Sequence, residues 1–164
     1  MTTDGEHFEV PTGEPAQAGR VIVGVDGSPE SHDALAYAAA VANWRNWTLH
    51  IVNVWHVSYP VATLALDVTE IAVAASEAAA RTVRDAEKEV LGDGFTGTVV
   101  RSAVEGYPAR TLIELSRGAD LLVLGNRGRG GFSSLALGSV GQACVHHAHC
   151  PVLIARPKTK SAAA

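Results

Sequence analysis

Only two cysteines, Cys144 and Cys150, occur in the 164 residues of this chain, too few for the disulfide framework of small secreted domains. Charge is sparse as well. Asp, Glu, Lys and Arg make up 18% of the residues and apolar ones 47%, a balance that excludes a disordered chain and favours a folded globule. Thirteen basic against seventeen acidic residues leave a net charge of −4, and no basic stripe gathers beyond Arg127, Arg129 and the last few residues. Nucleic acid and anionic membrane are thereby disfavoured as main partners. No apolar run approaches the roughly 20 residues that a membrane helix needs. The opening stretch Met1-Thr2-Thr3-Asp4-Gly5-Glu6 is acidic and polar, unlike a signal peptide. These absences predict a cytoplasmic protein of one domain, large enough to bury a core without cross-links.

Several catalytic and ligand signatures are missing too. No lysine stands between Lys88 and Lys158, which rules out a G-x-x-x-x-G-K-[ST] phosphate loop in that region. A dinucleotide fingerprint beginning at Gly128 would need glycine where Ser133 stands. No Ser–His–Asp order, no acid pair of defined spacing and no general base near the glycines can be named. His146, His147, His149 and Cys150 form the one metal-like cluster, but without closed-site zinc spacing. A helix-terminal histidine and a buried Cys150 are the plainer account. No repeat of 20–50 residues is visible.

Strand and helix signals alternate through the rest. Residues 1–19 are rich in Glu, Thr, Pro and Gly without periodicity and read as a flexible tail, as do residues 157–164. Val21-Ile22-Val23-Gly24-Val25 suits a strand buried on both faces. Ser28 is a natural N-cap with Pro29 at the first helical position. Ala34, Leu35, Ala38, Val41 and Ala42 then form a stripe that faces a sheet. Residues 48–55 read as a second strand and 56–67, with Pro60, as a loop over one edge. A long helix is predicted over 68–91, with Glu77 and Arg81 paired and Gly92 and Gly94 closing it. Further strands are expected at 96–102, 121–124 and 151–156, and further helices at 108–117 and 138–147. Trp44, Trp47 and Trp55 read as packing residues. Five strands with helical crossovers imply an α/β fold, a parallel sheet with helices on both faces.

The most informative stretch is Gly125-Asn126-Arg127-Gly128, followed after nine residues by Gly138-Ser139. It lies behind the apolar run Leu121-Leu122-Val123-Leu124 and ahead of a helix. That is the arrangement in which backbone N–H groups and a helix dipole cradle phosphate. Glycine lets a ligand approach the main chain without a Cβ in the way. Ser139 would cap the helix or donate its hydroxyl to phosphate. Arg127 and Arg129 either neutralise phosphate charge or are ordinary loop arginines. Ser133 and Ser134 either reach terminal phosphates or keep the loop soluble. Gly130 and Gly131 would leave the loop mobile until phosphates order it. The glycines by themselves also suit plain turns.

Together with Val21-Ile22-Val23-Gly24-Val25-Asp26-Gly27-Ser28, Glu105-Gly106-Tyr107-Pro108-Ala109 and Cys150-Pro151-Val152-Leu153-Ile154, this loop resembles the ATP-binding subgroup of the universal stress protein family. The blocks keep the family's order over residues 20–156, the expected single domain. The resemblance implies an open five-stranded sheet of order 3-2-1-4-5, with strands one and four adjacent and their loops facing one crevice. It implies ATP with Mg²⁺ or Mn²⁺ as ligand, the ion bridging phosphate oxygens. Gly125, Gly128, Gly138, Ser139 and Val140 would hold the phosphates, and Gly24 and Leu124 would be pocket walls. Val54 would offer its backbone to adenine, or serve only as core. Asp26 would face the nucleoside, or make only an Asp-Gly turn. A nucleotide-responsive regulatory module in stress adaptation is expected, acting on a partner of unknown identity. The alternatives are a slow ATPase or self-phosphorylating enzyme, and a nucleotide-free interaction dimer of the same fold. In that strand order Val152, Leu153 and Ile154 form an apolar edge that invites pairing with a second copy.

Overall fold

A computed structural model describes residues 19–58, 68–128 and 137–156 of the chain. Residues 1–18 and 157–164 of the expected tails, the 59–67 segment, and Arg129, Gly130, Gly131, Ser133 and Ser134 lie outside these residues, while Gly19 is described and accepts from the Thr48 amide. The elements run β1 (Arg20–Gly24), α1 (Pro29–Arg45), β2 (Thr48–Trp55), α2 (Val68–Val90), β3 (Val99–Glu105), α3 (Pro108–Leu115), β4 (Leu121–Gly125), α4 (Ser139–His147) and β5 (Val152–Ala155). They form one five-stranded sheet in the order β3-β2-β1-β4-β5, all neighbours parallel. Such strands are covered by helices on both faces, so they read as continuous apolar runs. Val21, Ile22 and Val23 are all fully buried.

Alternation along the strands sorts these residues into two cores. Val21, Val23, Leu49 and Ile51 pack with Ala34, Leu35 and Ala38 of α1 and Val83 and Ala86 of α2. Ile22, Val52, Leu122 and Leu124 turn the other way, onto Leu112 of α3 and Cys144 of α4. The first helix forms where the sequence predicts it. Ser28 accepts from the Ser31 amide, Pro29 opens the helix and Asn46 closes it in the left-handed conformation at φ 53°.

Other expectations shift. The third strand lies at Val99–Glu105 rather than 96–102, because it pairs with the whole of Leu49–Trp55. The helix after Pro108 stops at Leu115 and tightens into a 3₁₀ turn over Ser116–Gly118. Trp44 does not pack: it is 81% exposed at the end of α1. The Arg45 guanidinium lies 5.7 Å from its ring centre and 4.9 Å from that of Trp47. Cys144 is the buried cysteine, whereas Cys150 is half-buried.

His50 in β2 is a buried histidine on the α3 face. Its Nε2 meets Ser102 Oγ at 2.8 Å, and its Nδ1 is covered without a partner among the described residues. Burial, and secondarily the nearby Arg20 charge, push its pKa below the ordinary value. The folded chain therefore resists the proton that the unfolded chain accepts below about pH 6.5. Its contribution to stability is complete above that pH and is lost as the pH falls toward the folded value. Urea unfolding at pH 7.5 and pH 5 should show native protein losing more stability than His50→Gln, by at most about 1.4 kcal/mol per pH unit. Equal losses would remove His50 from the acid response.

Candidate functional site

The sheet order makes β1 and β4 neighbours, with Val21, Ile22 and Val23 paired to Leu121, Leu122 and Val123. The loops after these two strands share the carboxyl end of the sheet, where ligands of doubly wound folds bind. A cavity of about 580 Å³ opens there. Ten residues singled out from the sequence border it: Gly24, Asp26, Val54, Leu124, Gly125, Arg127, Gly128, Gly138, Ser139 and Val140. Trp55 is not among the lining residues.

Part of the lining is apolar: Val52, Val54, Pro108, Leu112 and Leu124. The loop from Gly125 to Gly128 and the start of α4 line it as well. Gly138, not Ser139, occupies the N-cap position, so the expected Ser139 cap does not form. Because Gly138 lacks a side chain, no capping bond covers the first turn of α4. The first N–H groups of a helix have no partner within it, and they carry the positive end of its dipole. The Gly138 amide itself donates to the Asn126 carbonyl at 3.0 Å, tying the helix start to the loop after β4.

Close approach explains two glycines. A Cβ at Gly125 would lie 2.7 Å from the Glu30 carbonyl oxygen in the first turn of α1. At Gly128 it would lie 2.6 Å from Asp26 Oδ2, so the two loops meet across the crevice. Neither position has the positive φ that favours glycine. Gly138 is different: an added Cβ would meet nothing nearer than 3.6 Å, and φ −68°, ψ 160° is open to any residue.

Asp26 does make the turn expected of Asp-Gly. Its Oδ1 accepts from the Ser28 amide at 3.0 Å and from the Ser28 hydroxyl. Ser31 Oγ donates to the Ser28 carbonyl at 2.8 Å and accepts from the Asp26 amide at 3.4 Å. The Asn53 amide donates to the Val25 carbonyl at 2.7 Å, fastening this turn to β2. The carboxylate is thus held at the cavity by a small hydrogen-bond net. Asp26 and Arg127 are the charged side chains among the described lining residues.

Sequence reasoning missed Val25, Ser31, Val52, Pro108, Leu112, Asn126 and Gly141 as lining residues. Pro108 and Leu112 are four apart on one face of α3, a signal consistent with either core or cavity wall. The histidine–cysteine group does not assemble: among the described residues no three His, Cys, Asp or Glu side chains converge to hold a metal ion. Burial pushes the Cys144 thiol up to about 11, and Cys150 is raised by burial and then by Asp120. No described helix is long and apolar enough to cross a membrane.

Comparison with known proteins extends this picture. The model of the universal stress protein family matches residues 18–156. Universal stress protein Rv2623 of Mycobacterium tuberculosis is 35% identical over 153 residues, covering 87% of this chain and 46% of that protein. Universal stress protein Rv2005c of the same organism is 35% identical over 136 residues, covering 83% and 45%. The chain spans about half the length of the curated relatives it matches. Among solved structures, the universal stress protein UspA from Lactobacillus plantarum shares the fold with a TM-score of 0.73 at 24% identity, over 87% of this chain and 100% of that one. A universal stress protein in complex with cAMP gives 0.60 at 27% identity, over 83% and 95%. An Arabidopsis thaliana member with AMP bound shares the fold with a TM-score of 0.55 at 19% identity, over 84% and 91%.

Proposed function

Because the chain belongs to the universal stress protein family, we propose that it is a nucleotide-responsive regulatory module that binds ATP with Mg²⁺ or Mn²⁺. The observation that carries this reading is one cavity whose lining joins apolar side chains to the glycine loop after β4 and to an uncapped helix start. A purine would lie against Val54, Leu112 and Leu124. Its phosphates would meet the amides of the Gly125–Gly128 loop and of Ser139 and Val140. Asp26 would face the nucleoside or the metal-bound water, and Arg127 would offset phosphate charge. A divalent ion brought with the triphosphate would neutralise part of its charge.

Calorimetric titration with Mg-ATP tests the reading. Gly128→Glu should weaken binding by roughly tenfold or more, about 1.4 kcal/mol. The side chain collides with Asp26 and adds negative charge where phosphate would sit. No binding to the native chain, or equal binding to a folded Gly128→Glu protein, would overturn the proposal. Released phosphate in the same mixtures should accumulate far below the ~1–100 s⁻¹ of kinases. Backbone amides hold ground state and transition state about equally, which gives affinity without rate.

The same reading includes self-association through β5. The opposite edge, β3, carries Arg101 in an ion pair with Glu87, while Val152, Leu153 and Ile154 of β5 are apolar and only partly buried. A charged edge resists strand addition and an apolar one invites it. Light scattering at micromolar concentration should find a homodimer, and Leu153→Asp should yield monomer. A native monomer would refute the assembly without touching the nucleotide reading.

A further inference from the structure

Ser102 of β3 and His50 of β2 sit on adjacent strands, and neither borders the cavity. Ser102 Oγ lies 2.8 Å from His50 Nε2. This is the contact through which a histidine takes the proton of a hydroxyl as that hydroxyl attacks. The two residues differ in exposure in the sense such a pair needs. His50 is 7% exposed, so water hardly competes for its ring, whereas Ser102 is half-buried on a strand at the edge of the sheet. Val100, two residues earlier and so on the same face, is exposed, which leaves that side of Ser102 without a roofing helix among the described residues.

The ring is poised as a base. His50 Nδ1 is covered and has no partner among the described residues, so Ser102 is the only side chain there that bonds the ring. With its proton on Nδ1, the imidazole accepts from the Ser102 hydroxyl through Nε2. Burial, and then the charge of Arg20 on β1, hold the ring neutral at neutral pH, with that lone pair available. Other described serines are placed differently. Ser31 and Ser116 donate to backbone carbonyls, which cannot take the proton, and Ser28 donates to the Asp26 carboxylate, a weaker base than imidazole. Ser58 meets His56 at 3.0 Å, but both are exposed and water competes for each.

We propose that Ser102 is a reactive hydroxyl, a site of covalent acylation by activated carboxylic esters, with His50 as its base. Ser102 Oγ forms a bond to the ester carbonyl carbon, and the bond from that carbon to the leaving oxygen breaks. The hydroxyl proton passes to His50 Nε2 and from there to the leaving alkoxide or phenolate. No oxidant, metal or nucleotide enters the balance, so the inference stands apart from the nucleotide reading.

Incubation of the full chain with p-nitrophenyl acetate, followed by peptide mass spectrometry, tests it. Acetyl should accumulate on Ser102 faster than on Ser58, and should be absent from that peptide in Ser102→Ala. His50→Gln retains a hydrogen-bonding group but no base, and should slow acetylation of Ser102 by at least about tenfold. In the native protein the rate should stay level from about pH 8 to about pH 6.5 and fall below that, as His50 takes up its proton. Should His50→Gln not fold, this profile decides alone, since a reaction driven by hydroxide would keep rising in proportion to it. No acetyl on Ser102, equal acetylation of Ser58, an unchanged rate in folded His50→Gln, or a rate proportional to hydroxide would each overturn the proposal. None of these outcomes bears on ATP binding.

Discussion

Ile22→Ala should cost about 2–5 kcal/mol of folding stability, the range for truncating a large aliphatic side chain in a packed core. Ile22 is fully buried in β1, between β2 and β4, and packs with Val52, Leu112, Leu122, Leu124 and Cys144. Strands fixed on both sides cannot close over the missing atoms, so the cavity term adds to the lost transfer energy. Val52, Leu112 and Leu124 also wall the cavity, so the truncation loosens its floor. Urea denaturation measures the loss, and a value below about 1 kcal/mol would mean that the site collapses without strain.

Gly125→Val should be the other severe change, and for a different reason. Its Cβ would press on the carbonyl carbon and oxygen of Glu30 at 2.8 and 2.7 Å, and main chain does not turn aside as a side chain does. Overpacking of this kind costs typically about 1–3 kcal/mol, and more where helix α1 must shift against β4. Gly138→Ala is the matched control, because its Cβ meets ordinary contacts in a conformation open to alanine. Thermal unfolding should show a lowered midpoint for Gly125→Val and an unchanged one for Gly138→Ala. Equal midpoints for the two variants would mean that Gly125 is not required by the packing of α1 on β4.

Much of this was legible in the residues. The apolar runs at Val21–Val23 and Leu121–Leu124 are buried on both faces, which leaves a period-free signature that a parallel sheet alone explains. Ser28 and Pro29 mark a helix start because one accepts an orphan N–H and the other lacks one. Gly125, Gly128 and Gly138 of the glycine spacing border the cavity, whereas Arg129, Ser133 and Ser134 lie outside the described residues. The order of strands was not legible from periodicity and came through the resemblance. Other features are settled only by three-dimensional neighbours. Gly125 is glycine because Glu30 is near, and nothing between positions 30 and 125 announces that contact. Trp44 is exposed because α1 turns that side from the sheet, although indole is apolar enough to suggest a core. Ser139 looked like a cap because its residue type prefers the position, yet it is already the first helical residue and Gly138 stands at the cap.

The sheet that separates the two cores also separates two kinds of evolutionary constraint. Beyond its first turn, α1 meets the cavity nowhere among the described residues, and α2 contributes nothing to its walls. Side chains beneath these helices can exchange in compensating pairs while the pocket keeps its shape. Those beneath α3 and α4 serve packing and pocket at once, so each exchange there is judged twice. Descendants of this chain should therefore drift faster on the α1–α2 side than on the other, with the sheet as the boundary between the two rates.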